Sequence, residues 1–117
     1  MTRTPDALLL TPEADIVPVN LPADSDSRLT VMRSVIRCER VDVVGFTTQL
    51  DMWIDDEARY NHPVNVLATV LAIRFGFTHQ DYHGPVLLTG GADAEGETVP
   101  LSKDKILALL ASLADAL

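Results

Sequence analysis

Leu50 to Gly76, LDMWIDDEARYNHPVNVLATVLAIRFG, decides how the rest of this chain is read. It opens with alternation. Leu50, Met52 and Ile54 point to one side of an extended strand, and Gln49, Asp51, Trp53 and Asp55 to the other, because successive strand side chains face opposite ways. The first set is a core face. The second places the chain's one tryptophan between two carboxylates. An acidic turn follows at Asp55-Asp56-Glu57, and Pro63 then predicts a helix start with Asn61 or His62 as N-cap. Val64, Leu67, Ala68, Leu71 and Phe75 form one apolar stripe, and Val66, Val70, Ile73 and then Phe77 a second. Only Asn65, Thr69 and Arg74 are polar, so this helix is expected to lie across a sheet or inside a dimer. Gly76 supplies the left-handed residue that closes it. The apolar run is too short to cross a bilayer.

Outward from this centre, the same pattern recurs on both sides. Ala7–Leu10 reads as a short strand and Ile16–Leu21 as a second, placed at a sheet edge because Pro18 has no N–H for the ladder. Leu29, Met32, Val35 and Ile36 give a helix with one buried face, starting near Asp26 and ending near Arg40. Val41–Thr47 is a third strand, with Gly45 as a bulge or close approach, and it forms a hairpin with the central strand. Pro85–Thr89 is continuously apolar, as a strand covered on both faces should be. Thr98–Leu101 reads as an edge strand carrying Pro100, and Ser102 caps a last helix with Ile106, Leu109, Leu110, Leu113 and Leu117 on one stripe. The chain is thus strand-strand-helix three times in one domain, residues 1–117. The fold class is α+β, a mostly antiparallel sheet with helices packed on it.

Composition narrows the function. With 117 residues, nearly half of them hydrophobic, the chain has enough material for a core and is not a disordered segment. A formal charge of −8 argues against direct nucleic-acid binding, which requires clustered Lys and Arg. Arg28, Arg33, Arg37 and Arg40 are better explained as a solvated helix face. Cys38 is alone, so no disulfide forms within the chain, and a cytoplasmic, reducing compartment is expected. The opening MTRTPDALLLTPEAD lacks the apolar core and cleavage site of a signal peptide, and no membrane association is expected.

Few side chains suggest chemistry. His79-Gln80-Asp81-Tyr82-His83 spaces two imidazoles by four, but Gly76 and Gly84-Pro85 make the segment a loop rather than a helix, and no HExxH is present. Asp51 and Asp55 stand roughly 13 Å apart along one strand face, too far for either glycosidase geometry. The loop TGGADAEGE has neither the Lys-Ser/Thr of a phosphate-binding loop nor the glycine placement of a calcium loop. Cys38 is best read as a small buried thiol, because no partner histidine is foreseeable nearby. No catalytic residue, no metal ligand set and no cofactor is therefore assigned.

LDMWIDDEA (Leu50–Ala58), the Asn61-His62-Pro63-Val64-Asn65 entry to a helix ending in Phe75-Gly76, and GPVLLTG (Gly84–Gly90) resemble a family of small uncharacterised actinobacterial and phage proteins. The helix entry here departs from the family's more usual proline-asparagine-proline wording. The resemblance implies a cytosolic accessory protein of mobile elements and carries no activity. The reading that joins these observations is a non-enzymatic protein-interaction or regulatory module that binds a protein partner or itself. Its contact residues are expected to be Trp53, Asp51 and Asp55 with His79, Tyr82 and His83, Trp53 acting as an aromatic anchor. A competing structural reading packs Trp53 beneath a neighbouring helix and leaves the acids solvated. The alternatives are a small-ligand or metal-binding domain using the His79–His83 loop, and an acidic decoy of a DNA-binding protein.

Overall fold

A computed structural model describes residues 4–116. Five strands form one sheet: β1 (Ala7–Leu10), β2 (Ile16–Val19), β3 (Val41–Thr47), β4 (Leu50–Asp55) and β5 (Val86–Thr89). Their order is β2-β1-β5-β4-β3, and every neighbouring pair is antiparallel. Four helices complete the α+β fold: α1 (Ser25–Ile36), the single turn α2 (Ala58–Asn61), α3 (Val66–Arg74) and α4 (Lys103–Ala114).

Strand alternation divides the apolar residues between the two faces of the sheet. Leu8, Leu10, Leu50, Met52, Val86 and Leu88 pack with Leu67 and Leu71 of α3 and with Ile106, Leu109 and Leu113 of α4. Ala7 and Leu87 face the other way and pack with Met32 and Ile36 of α1, with Trp53 and Val41 at the margin. β5 is buried at all four positions, because it lies between β1 and β4 and is covered above and below. Its unbroken apolar run follows from that placement.

The capping residues set where the helices begin. Asp24 accepts from the Ser27 amide at the start of α1, and Ser102 accepts from that of Lys105 at the start of α4. The central helix begins later than Pro63. The chain first makes α2, then runs extended through Pro63 and Val64, where Val64 bridges to His83 and the Gly84 amide donates to the Pro63 carbonyl. Asn65 is the N-cap in place of Asn61 or His62, its side chain accepting from the Ala68 amide. Nor is this helix covered all round: Val66 and Ile73 are 55% and 49% exposed. Gly76 does close it with a positive φ of 93°.

Two further expectations differ from the structure. Thr98–Leu101 is not a ladder strand, having only an isolated bridge between Ala92 and Thr98. Pro100 breaks the pattern, while the Val99 amide donates to the Gly91 carbonyl and the Leu101 amide to that of Asp6. Arg28 is not on a solvated face. It is buried, and its guanidinium donates to the Ala23 carbonyl and pairs with Glu97. Leu117, the last residue of the expected α4 stripe, lies outside the described residues.

Candidate functional site

The end of β4 gathers the polar side chains that the sheet positions most firmly. Asp55 is only 8% exposed. One of its oxygens accepts from the Glu57 amide, and the other lies 3.5 Å from Nε2 of His62. His62 is held there because Gly84 has no side chain: a Cβ at that position would meet the imidazole ring at 2.9 Å. Behind it, Nδ1 of His83 lies 3.1 Å from the His62 carbonyl oxygen.

Two concavities open from this point. One, of about 680 Å³, runs between the end of α1 and the α2 turn and is lined by Arg37, Cys38, Arg40, Asp55, Asn61 and His62 among others. Arg37 caps α1 in the left-handed conformation at φ 65°, and Arg40 pairs with Asp56 at 2.8 Å. Cysteine, histidine and aspartate thus share a cleft, but the thiol is not activated. Burial pushes the Cys38 thiol up from its ordinary value, and the Asp55 charge adds to that shift. The other concavity, of about 400 Å³, is lined by Asp42, Ile54, Asp55, Arg59, Tyr82 and His83 among others.

Trp53 and Asp51 lie on the α1 side of the sheet, whereas Ile54 and Tyr82 belong to the opposite core. Trp53 is half-buried at the margin of the α1 core, and its indole N–H donates to Oγ1 of Thr89 on β5 at 2.9 Å. Its cross-strand neighbour Val43 is 44% exposed. Asp51 is half-buried and makes no hydrogen bond or ion pair among the described residues, and burial raises its carboxyl above the ordinary value.

The six residues singled out from the sequence therefore divide. Asp55, Tyr82 and His83 share a concavity, Trp53 and Asp51 share a sheet face, and His79 is exposed and lines neither concavity. Sequence reasoning passed over His62, Cys38 and Arg37 as a group. Pro63 beside His62 hinted at a fixed turn, but no spacing shows that Gly84 receives its ring. Among the described residues, no three His, Cys, Asp or Glu side chains converge closely enough to hold a metal ion. No helix among them is long and apolar enough to cross a membrane.

No curated protein and no solved structure matches the chain. Residues 3–114 match the model of a domain of unknown function, DUF3846. That match covers nearly the whole sequence, and the chain belongs to the DUF3846 family.

Proposed function

We propose that the chain is a non-catalytic interaction module, acting in the cytosol, that receives a protein partner on the sheet face around Trp53 and Val43. One observation carries this reading. A tryptophan and a 44%-exposed valine stand side by side across β3 and β4, beside a carboxylate that has no counter-ion among the described residues. Aromatic anchors flanked by polar groups are the usual centre of a protein interface. The raised thiol of Cys38 gives nucleophilic catalysis no comparable support. The lone cysteine supports the compartment. The likeness of its strand motifs to actinobacterial and phage proteins supports an accessory role.

Because Trp53 also packs in the α1 core, the test uses its exposed neighbour. Val43→Glu is expected to keep the fold and abolish capture of the partner retained by the wild-type chain from its own cell extract. Trp53→Phe, which keeps most of the packing and loses the indole N–H, is expected to weaken it. Capture indifferent to both substitutions refutes the module.

A second reading is favoured by the Asp55–His62 pair at the wall of the 680 Å³ cleft, which suits a small polar ligand. A thermal-shift series across nucleotides, amino acids and divalent ions tests it, since a ligand preferring the native state raises the midpoint. A flat series removes it.

A further inference from the structure

The two edges of the sheet are unlike. β2 is four residues long and carries Pro18, which blunts it against pairing. β3 is seven residues long, VDVVGFT, with no proline or lysine. Its backbone polarity follows from register. The Asp56 amide donates to the Arg40 carbonyl, and Asp42 and Val44 lie opposite Ile54 and Met52. Residues 40, 42 and 44 therefore bond inward, and Val41, Val43 and Gly45 turn their N–H and C=O groups outward. In agreement, the Val43 amide donates to the Asp42 carboxylate, at 2.9 Å, instead of to a strand. Val41, Val43 and Gly45 thus turn to the open edge, and an added strand would take the Val43 N–H over from the exposed Asp42 carboxylate.

The side chains beside this ladder specify what would fit. Next to Val43, on the same face, lie its cross-strand partner Trp53 and, two residues along, Gly45 opposite Asp51. Gly45 puts nothing between the edge and that carboxylate: a Cβ built there would lie 3.6 Å from Oδ1 of Asp51. Among the described residues Asp51 has no cation beside it, and burial is the one cause that raises its carboxyl. Toward the other end of β3, Glu39, Asp42, Asp56 and Glu57 are exposed, but Arg40 pairs with Asp56, and Arg37 and Arg59 line the same concavities. The acid beside the edge that has no cation among the described residues is therefore Asp51. A second copy, itself charged −8, would bring like charges together.

We propose that an extended segment of a basic partner adds to β3 as a sixth strand, with an apolar side chain over Val43 and Trp53 and a Lys or Arg reaching across Gly45 to Asp51. This rests on the interaction-module reading and names its chemistry. Backbone pairing supplies affinity, and alternate side chains supply selectivity. The spacing is fixed, since residues two apart on a strand share a face.

The probe is a short fluorescein-labelled peptide, threonine–arginine–threonine–valine–threonine–arginine–threonine. Its symmetry places an arginine over Gly45 in either strand direction. Wild-type chain is expected to bind it saturably, and a version with glutamate for arginine is expected not to bind. Val43→Pro removes an outward N–H, a substitution that sheet edges tolerate. It is expected to weaken binding about ten-fold or more. Asp51→Asn is expected to weaken the arginine peptide similarly and to leave folding intact. Absence of saturable binding up to about 1 mM peptide overturns the proposal. So does equal binding by Val43→Pro or by Asp51→Asn, or a wild-type dimer that Val43→Pro dissociates. Loss of partner capture with Val43→Glu but not with Val43→Pro would leave the module standing and remove strand addition alone.

Discussion

Asn65 is fully buried and spends every polar atom of its side chain. Its amide donates to the carbonyls of Leu10 and Gly84, and its oxygen accepts from the Ala68 amide. One residue thus caps α3, ties it to β1 and fixes the turn that receives His62. Asn65→Ala leaves three buried backbone groups without that partner and is expected to lose about 2–4 kcal/mol. Urea unfolding midpoints at constant slope measure this. Asn65→Asp keeps the cap acceptor but sets an oxygen against two carbonyls, so at neutral pH it should be no better than alanine. Asp51 behaves oppositely. Burial raises its carboxyl, so the folded chain holds that proton more tightly than the unfolded chain. Its contribution then falls as pH rises from the ordinary 3.8 through the raised folded value, and charged Asp51 is a net cost at neutral pH. Asp51→Asn is expected to raise the melting temperature at pH 7 and to match wild type below about pH 3.8. A lower midpoint at pH 7 would mean that Asp51 has a stabilising partner.

Among the elements, legibility followed the distance over which each signal acts. α4 was readable because Ser102 caps within its own turn. α1 was readable in its buried face but not in its end, which comes at Ile36, with Arg37 left-handed, rather than near Arg40. β4 was readable because its alternation is local, and β5 because burial on both faces leaves an unbroken apolar run. The start of α3 was not, since Pro63 is a good first helical residue and it is the long-range pairing of residues 63–65 with residues 82–84 that keeps the segment extended. Arg28 was misread for a similar reason: its partner Glu97 is 69 positions away. The site was legible in pieces, with Asp55, Tyr82 and His83 named but the seat of His62 against Gly84 invisible. The Arg28–Glu97 tie joins α1 to the 93–97 turn, and its two halves are unequal. Glu97 is half exposed, so Glu97→Gln is expected to lose less than about 1 kcal/mol. Arg28→Ala removes a buried stem and leaves the Ala23 carbonyl without its donor, and is expected to lose about 1–3 kcal/mol. Chemical denaturation of the two variants checks the order. Equal losses would show that the charge pair, rather than the buried arginine, holds the elements together.

At the scale of the whole molecule, charge opposes compaction. The chain carries a formal charge of −8 within a Cα radius of gyration of 13.2 Å. An unfolded chain of this length spreads the same charge over roughly 35 Å. Coulomb repulsion in water then disfavours the folded state by on the order of 2–3 kcal/mol at low salt. Salt also screens the attractive pairs, and the sizes decide which effect wins. Arg40–Asp56 is exposed on both sides, and Arg28–Glu97 on one, so water already weakens both pairs and screening takes less from them than it takes from the global repulsion. At about 0.3 M the screening length is well below the molecular radius, and most of the global repulsion is gone. Raising sodium chloride from about 0.02 M to about 0.3 M at pH 7 is therefore expected to raise the melting temperature, by roughly 5 °C. Peptide binding at the β3 edge should move the other way and weaken over the same range, because there the acids attract. If salt lowers the melting temperature instead, local ion pairs outweigh the net charge. The acidic rim would then be a stabilising network, and the charge argument for a basic partner would lose its footing.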